Sequence, residues 1–215
     1  MNTANPARPA APIKLHRFVL SGHSHRVELF LSLLGLPFET VDVDLAGGEQ
    51  KRPPFLALNA FGQVPVIEDG PDVVPDSNAI LVYLAERYAP GSWWPREPAA
   101  RARVQRWLSV AAGELAATAA RARLVRVFGI DADTTAAVAG ARALLGLLER
   151  ELAGSEFIAG SQPTIADVAL YSYTAHAPEG GVSLADYPRV RAWIARIEGL
   201  SGFVPMKASP LPPAS

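Results

Sequence analysis

Asn59-Ala60-Phe61-Gly62-Gln63-Val64-Pro65-Val66-Ile67-Glu68-Asp69-Gly70-Pro71-Asp72-Val73-Val74-Pro75-Asp76-Ser77-Asn78-Ala79-Ile80 is the stretch on which the fold turns. Val64-Pro65-Val66-Ile67 and Val73-Val74 flank the turn dipeptide Asp69-Gly70, the pattern of an antiparallel hairpin. A proline opening a strand directly after Val64 is a candidate cis bond. Such a bend turns the backbone N–H and C=O of Val64 outward, where an extended peptide can pair with them by strand addition. Immediately after the hairpin, Asp76-Ser77 caps a helix along which Ile80, Leu81, Leu84 and Tyr88 line one side, until Pro90-Gly91 ends it. The hydroxyl and amides at that helix start suit a carboxylate, and Asp76 suits an ammonium.

Upstream, Ile13-Lys14-Leu15-His16-Arg17-Phe18 alternates apolar and polar side chains, as a half-buried strand does. Ser21 to His25 form a polar loop, and from Val27 the apolar positions 27, 30, 31 and 34 predict a helix closed by Gly35 and Pro37. Val41, Val43 and Leu45 define a second strand, which a crossover helix of this size makes parallel to the first. After a Gly-Gly loop, Pro53 to Leu58 form a short helix. The order is therefore β-α-β-α-β-β-α.

Beyond Trp94-Pro95 the strand signals stop. Val104, Trp107, Leu108, Ala111 and Leu115 make one helical stripe; Val138, Ala141, Leu145, Leu148 and Leu152 make a second, and Val190, Trp193, Ile194 and Ile197 a third. Thr164-Ile165-Ala166-Asp167 carries the carboxylate form of a capping box, with Asp167 in a structural role. The expected organisation is a disordered leader over 1–12, an α/β domain over 13–89, a linker over 90–97, an all-helical domain over 98–202 and an irregular tail over 203–215.

The 215 residues are 49% hydrophobic, ample for a packed core, and 20 Lys+Arg against 21 Asp+Glu leave no basic excess of the kind nucleic-acid binding requires. No apolar run is long enough to span a membrane and the N-terminus lacks the apolar core of a secretory signal, so a cytoplasmic protein is expected. There is no cysteine, which removes disulfides, thiolate metal sites and any mechanism in which the protein supplies the attacking sulfur.

The loop Ser21-Gly22-His23-Ser24-His25-Arg26-Val27 runs into a helix N-terminus, where unpaired amides and the helix dipole favour negative charge. Ser24 reads as the N-cap of that helix and Arg26 as a structural charge. His23 and His25 have no convergent third ligand, so no metal site is expected. Trp107 reads most simply as core.

These segments, in this order and followed by a helical domain, resemble the cytosolic glutathione transferase superfamily from Ile13 to about Leu200. Gln63-Val64-Pro65 and Asp76-Ser77 match its glutathione-binding motifs, and Thr164-Ile165-Ala166-Asp167 its helical-domain cap. The resemblance implies a thioredoxin-like N-terminal domain, a homodimer, and glutathione as co-substrate with no permanently bound cofactor. Phe18 stands where tyrosine-type members carry their Tyr, and cysteine-type chemistry is closed to this chain. The serine-type classes (phi-like or bacterial) place their Ser five residues before an Arg-Val pair; Ser21 satisfies that spacing to Arg26-Val27, and Ser24 is the rival hydroxyl. By the same resemblance Gln50 and Lys51 hold the glycine carboxylate of glutathione, Val64 pairs with the cysteinyl backbone, Gln63 adds a side-chain contact, Pro65 belongs to the same glutathione-binding loop, and Asp76 and Ser77 hold the γ-glutamyl end. His23 and Trp107 are candidates for lining the electrophile pocket. The expected function is conjugation of glutathione to a hydrophobic electrophile held mainly by the helical domain. The alternatives are glutathione-dependent reduction of peroxides or disulfides, and a non-enzymatic binding module.

Overall fold

Leu15 and Ile67 lie opposite one another in the sheet, both fully buried, and the strands are assembled around them. The computed structural model describes residues 8–209; the expected disorder of residues 1–7 and the end of the tail, 210–215, lie outside the described residues. The described part forms two compact units. One runs to Arg96 and takes in Ser201–Met206; the other spans Glu97–Leu200 and resumes at Lys207.

The first unit follows the expected order. Strand β1 (Ile13–Arg17) leads to helix α1 (Gly22–Leu33), strand β2 (Phe38–Asp42), helix α2 (Pro53–Leu58), the hairpin strands β3 (Val66–Asp69) and β4 (Asp72–Pro75), and helix α3 (Ser77–Tyr88). The sheet order is β2-β1-β3-β4, with β1–β2 parallel and the other pairs antiparallel. This is the thioredoxin-like arrangement. On one face Val27, Phe30 and Leu31 of α1 and Ile80, Leu81 and Leu84 of α3 are buried. On the other, Phe55 of α2 packs with Val43 and Val66, and the His16 ring meets Phe55 edge-on.

Three local expectations are corrected. Strand β2 begins at Phe38 rather than near Val41, because it is an edge strand whose residues are almost all exposed; Val43, which carried the apparent alternation, is buried just past its end. Helix α1 begins at Gly22, five residues before the first apolar position, since its first turn is built from buried polar groups. The hairpin turn is Gly70-Pro71 rather than Asp69-Gly70: Asp69 pairs with Asp72, and Gly70 takes the left-handed φ of 61° that a two-residue turn needs. The Val64–Pro65 bond is cis, as expected.

The second unit contains helices α4 (Pro98–Ala112), α5 (Arg121–Val127), α6 (Thr135–Glu151), α7 (Ile165–Ala175) and α8 (Pro188–Glu198). The stripe running to Leu115 is interrupted at Gly113, and a π-helical segment, Ala116–Ala120, leads into α5. Helix α7 is buried from Ile165 to Thr174, which makes it the central helix of this unit. Its capping box is complete: Thr164 Oγ1 accepts from the Ala166 N–H, and Asp167 Oδ2 accepts from the Thr164 N–H at 2.8 Å. Asp167 Oδ1 also accepts from the Ile158 N–H and from the Trp193 indole, each at 2.8 Å. One buried carboxylate thereby ties a loop, α7 and α8 together.

Residues 203–209 have no regular secondary structure but are anchored. Val204 O lies 2.9 Å from His25 Nε2, Met206 is buried, and the Ser209 N–H donates to Glu179. Among the described residues, no helix is long and apolar enough to cross a membrane.

Candidate functional site

Phe18 ends its strand with two bonds that build a tight corner: its carbonyl accepts from the Ser21 N–H at 2.9 Å, and its own N–H donates to Ser24 Oγ at 3.2 Å. Ser21 then caps α1, its Oγ accepting from the Ser24 N–H at 3.3 Å. The cap is therefore Ser21, not Ser24, which lies inside the first turn; the chain turns helical sooner than its apolar pattern shows. The two hydroxyls differ in access. Ser24 is 1% exposed and Ser21 only part-buried. Capping uses a lone pair of Ser21 Oγ and leaves its proton available to donate.

On the same first turn, His25 and Arg26 are buried. Arg26 Nη1 donates to Ser77 Oγ and to Asn78 Oδ1, at 2.9 Å each, reaching from α1 to the start of α3. His23 Nδ1 lies 3.5 Å from Ser77 Oγ. Burial, with the Arg26 charge behind it, pulls the His23 pKa down to about 3, so this imidazole is neutral at ordinary pH.

Asp76 is the N-cap of α3, and its Oδ1 accepts from both Asn78 N–H and Ala79 N–H at 2.9 Å. It is the one non-glycine among the described residues with a positive φ, 73°. That backbone strain is held by the cap and presents the residue at the surface. Both bonds fall on Oδ1, so Oδ2 is not used in the cap. Ser77 is buried, and its Oγ accepts from Arg26 Nη1.

The remaining candidates gather around the loop before β3. Lys51 Nζ donates to Phe61 O at 3.0 Å, and Asn59 Nδ2 to Gln63 O at 2.8 Å. Gly62, with φ 59°, is pressed against this cluster: a Cβ there would lie 2.6 Å from the Gln50 carbonyl and 2.9 Å from Lys51 Nζ. No other residue fits. Gln50, Lys51, Gln63 and Val64 are thus brought to one place, and Val64, one residue before Pro65, stays outside the β3 ladder. Trp107 belongs to the second unit, 2% exposed within α4, with the Arg106 guanidinium 4.9 Å over its ring. Among the described residues, no three His, Cys, Asp or Glu side chains converge in a way that could hold a metal ion.

Sequence reasoning gives Arg26 only as a structural charge and does not foresee its bonds to Ser77 and Asn78. The available signal was a polar run, Ser24-His25-Arg26, at positions that the helix geometry carries inward.

A thioredoxin-like sheet with a cis-proline loop and two capped helix starts, followed by a helical unit, defines a glutathione-binding transferase class. Residues 20–87 match the glutathione S-transferase N-terminal domain and residues 116–196 the glutathione S-transferase C-terminal domain. The chain is 36% identical to glutathione S-transferase 3 of Zea mays, over 94% of this chain and 97% of that one. It is 31% identical to glutathione S-transferase theta-2 of Homo sapiens, over 88% and 82%. Its structure is similar to a crystal structure of a glutathione S-transferase from Pseudomonas fluorescens, with a TM-score of 0.86 and 32% identity over 91% of this chain and 99% of that one. The chain belongs to the glutathione S-transferase family of enzymes.

Proposed function

We propose that this transferase joins the thiolate of glutathione to a hydrophobic electrophile, with Ser21 as the thiolate's hydrogen-bond donor. The observation that carries this reading is access: each hydroxyl accepts one backbone N–H through a lone pair and keeps its proton, but Ser24 is buried whereas Ser21 is only part-buried. Its proton is thus available to a sulfur anion at the positive end of α1. A donor aimed at the charged form lowers the thiol pKa. The thiol proton leaves to solvent, the sulfur attacks the electrophilic carbon, a C–S bond forms, and the leaving group departs with its electron pair. Holding both reactants makes the attack effectively intramolecular.

The tripeptide is read along the first unit. Lys51, with Gln50, takes the glycine carboxylate as a charge partner; Val64 pairs with the cysteinyl backbone, with Gln63 beside it; Ser77 takes the γ-glutamyl carboxylate and Asp76 Oδ2 the ammonium. His23, neutral and next to Ser77, borders the γ-glutamyl end, and Trp107 is retained as a candidate wall for the electrophile.

The test is binding of glutathione with a thiolate absorbance band, followed by turnover of a chlorinated aromatic. Turnover of a hydroperoxide alone would move the assignment to glutathione-dependent reduction, and loss of both binding and turnover to a non-enzymatic module.

We further propose that the protein works in the cytoplasm, where glutathione is kept reduced, and as a homodimer. Phe61 is 80% exposed, beside the Gln50–Lys51 cluster, and Val73, Leu124, Phe128 and Ile130 are also exposed. Sedimentation of the intact protein and of Phe61→Glu reads the assembly directly.

A further inference from the structure

Residues Ser201–Met206 belong to the first unit, and two of their carbonyls are held by α1. The Ser32 hydroxyl donates to Gly202 O at 2.6 Å. A carbonyl only accepts, so His25 Nε2, 2.9 Å from Val204 O, carries a proton and donates it. His25 and Ser32 are seven positions apart and share one face of the helix, about 10 Å from each other along its axis. Gly202 and Val204 are two positions apart, a span of at most about 7 Å, and the length of the His25 ring makes up the rest. The segment therefore runs back along α1, from its last turn to its first. Pro205 disfavours a helical turn at Val204. Gly202, with φ 85°, brings its backbone so close to the helix that a Cβ would lie 2.6 Å from Ser32 O. Met206, buried, fixes the far end.

His25 is also the residue that closes the first turn on Ser21, because its N–H donates to Ser21 O at 2.9 Å. The other hold on Ser21, the Ser24 N–H to its Oγ, is long at 3.3 Å, and no acidic side chain in the first turn supports the cap. A helix end held this lightly frays. A hydroxyl serves an anion only while its position is kept, to about 0.5 Å.

We infer that Ser201–Met206 is a positioning element for the thiolate site and His25 its positioning residue: the segment splints α1 and, through the His25 ring, keeps the first turn closed and the Ser21 hydroxyl aimed. The inference rests on the proposed role of Ser21. It gives a part in the chemistry to a segment 179 positions along the chain from His25.

The experiment uses His25→Phe, which keeps a ring but loses the donor, His25→Gln, which restores a donor, and Gly202→Ala, which pushes the segment off Ser32 O. Absorbance titration gives the midpoint of the bound glutathione thiol, and calorimetry the affinities of glutathione and of S-methylglutathione, which has no thiol to ionise. His25→Phe and Gly202→Ala are expected to raise the midpoint by about half to one pH unit and to change S-methylglutathione affinity by about twofold or less. His25→Gln is expected to return toward the wild-type midpoint. In the double variant Ser21→Ala/Gly202→Ala the midpoint is expected where Ser21→Ala alone puts it, since the segment acts through that hydroxyl. An unmoved midpoint in both His25→Phe and Gly202→Ala, additive shifts in the double variant, or an equal loss of both ligands would overturn the inference and leave the segment as packing. Should His25→Phe fail to fold, Gly202→Ala and the milder Ser32→Ala carry the same comparison. A wild-type midpoint in Ser21→Ala itself would sink the proposed role of Ser21, and this inference with it.

Discussion

The backbone N–H of Ser24 donates to Ser21 Oγ at 3.3 Å, so the serine proposed to serve the thiolate also starts α1. That double duty makes a plain alanine substitution ambiguous, because loss of the cap alone costs about 1 kcal/mol. Ser21→Asp separates the roles: a carboxylate caps as well as a hydroxyl but has no proton to donate and repels a thiolate. Ser21→Asp is expected to unfold near the wild-type temperature, while the titration midpoint of bound glutathione's thiol rises by about one to two pH units, the worth of a lost charged hydrogen bond. Ser21→Ala should raise it similarly and also lower Tm. Thermal melts and absorbance titration of the thiolate check both.

Asp167 is the acceptor for three buried N–H groups, those of Ile158, Thr164 and the Trp193 ring. Asp167→Ala leaves all three without their acceptor, at roughly 1–3 kcal/mol each. A loss of several kcal/mol is expected, large against the stability of a domain. Asp167→Asn is also destabilised, because its NH2 must face a donor in place of Oδ2. Denaturant unfolding measures the difference; a change under about 1 kcal/mol for the alanine variant would contradict this account.

Pro188 opens α8 without an N–H, and the next two amides, those of Arg189 and Val190, both donate to the Glu149 carboxylate of α6 at 3.0–3.1 Å. This is an N-cap supplied from another helix. Glu149→Ala is expected to cost about 1–2 kcal/mol, and Glu149→Gln less, since it keeps one acceptor oxygen but loses the charge at the helix dipole. Amide hydrogen exchange should quicken at the first turn of α8 in both.

His23 links stability to acidity. Burial, then the Arg26 charge, hold its folded pKa near 3, below the 6.5 of an unperturbed imidazole. The unfolded chain therefore gains a proton that the native state refuses as pH falls through 6.5, and His23 withdraws up to about 1.4 kcal/mol of stability per pH unit until pH approaches 3. Above 6.5 it contributes nothing. His23→Gln should flatten the stability profile between pH 6 and 4, measured by urea unfolding at each pH; an unchanged slope there would show that the wild-type imidazole protonates freely.

Legibility in the sequence tracked exposure. Strand β1, the hairpin and the helices α3, α4, α6 and α8 each turn one face to a core, so their apolar spacing reports their geometry. Strand β2 has no such face, and the apolar alternation points several residues too far along, to buried Val43. The first turn of α1 has the pattern of a loop for the opposite reason: Gly22, Ser24, His25 and Arg26 are buried, but not through apolar spacing. Of the candidate site, the residues next to prolines, glycines and caps were visible because backbone chemistry restricts those positions.

The sequence by itself determined the element order, the cis-proline loop, the Thr164–Asp167 capping box and the exclusion of cysteine chemistry. All follow from local backbone rules and composition. Only the tertiary structure decided which serine is buried, that Arg26 reaches Ser77 across 51 positions, and that α8 takes its cap from Glu149. The physical reason is common to the three: a polar side chain can bond to many partners with equal chemistry. Packing alone decides which of them lies within 3 Å and which is shut away from water.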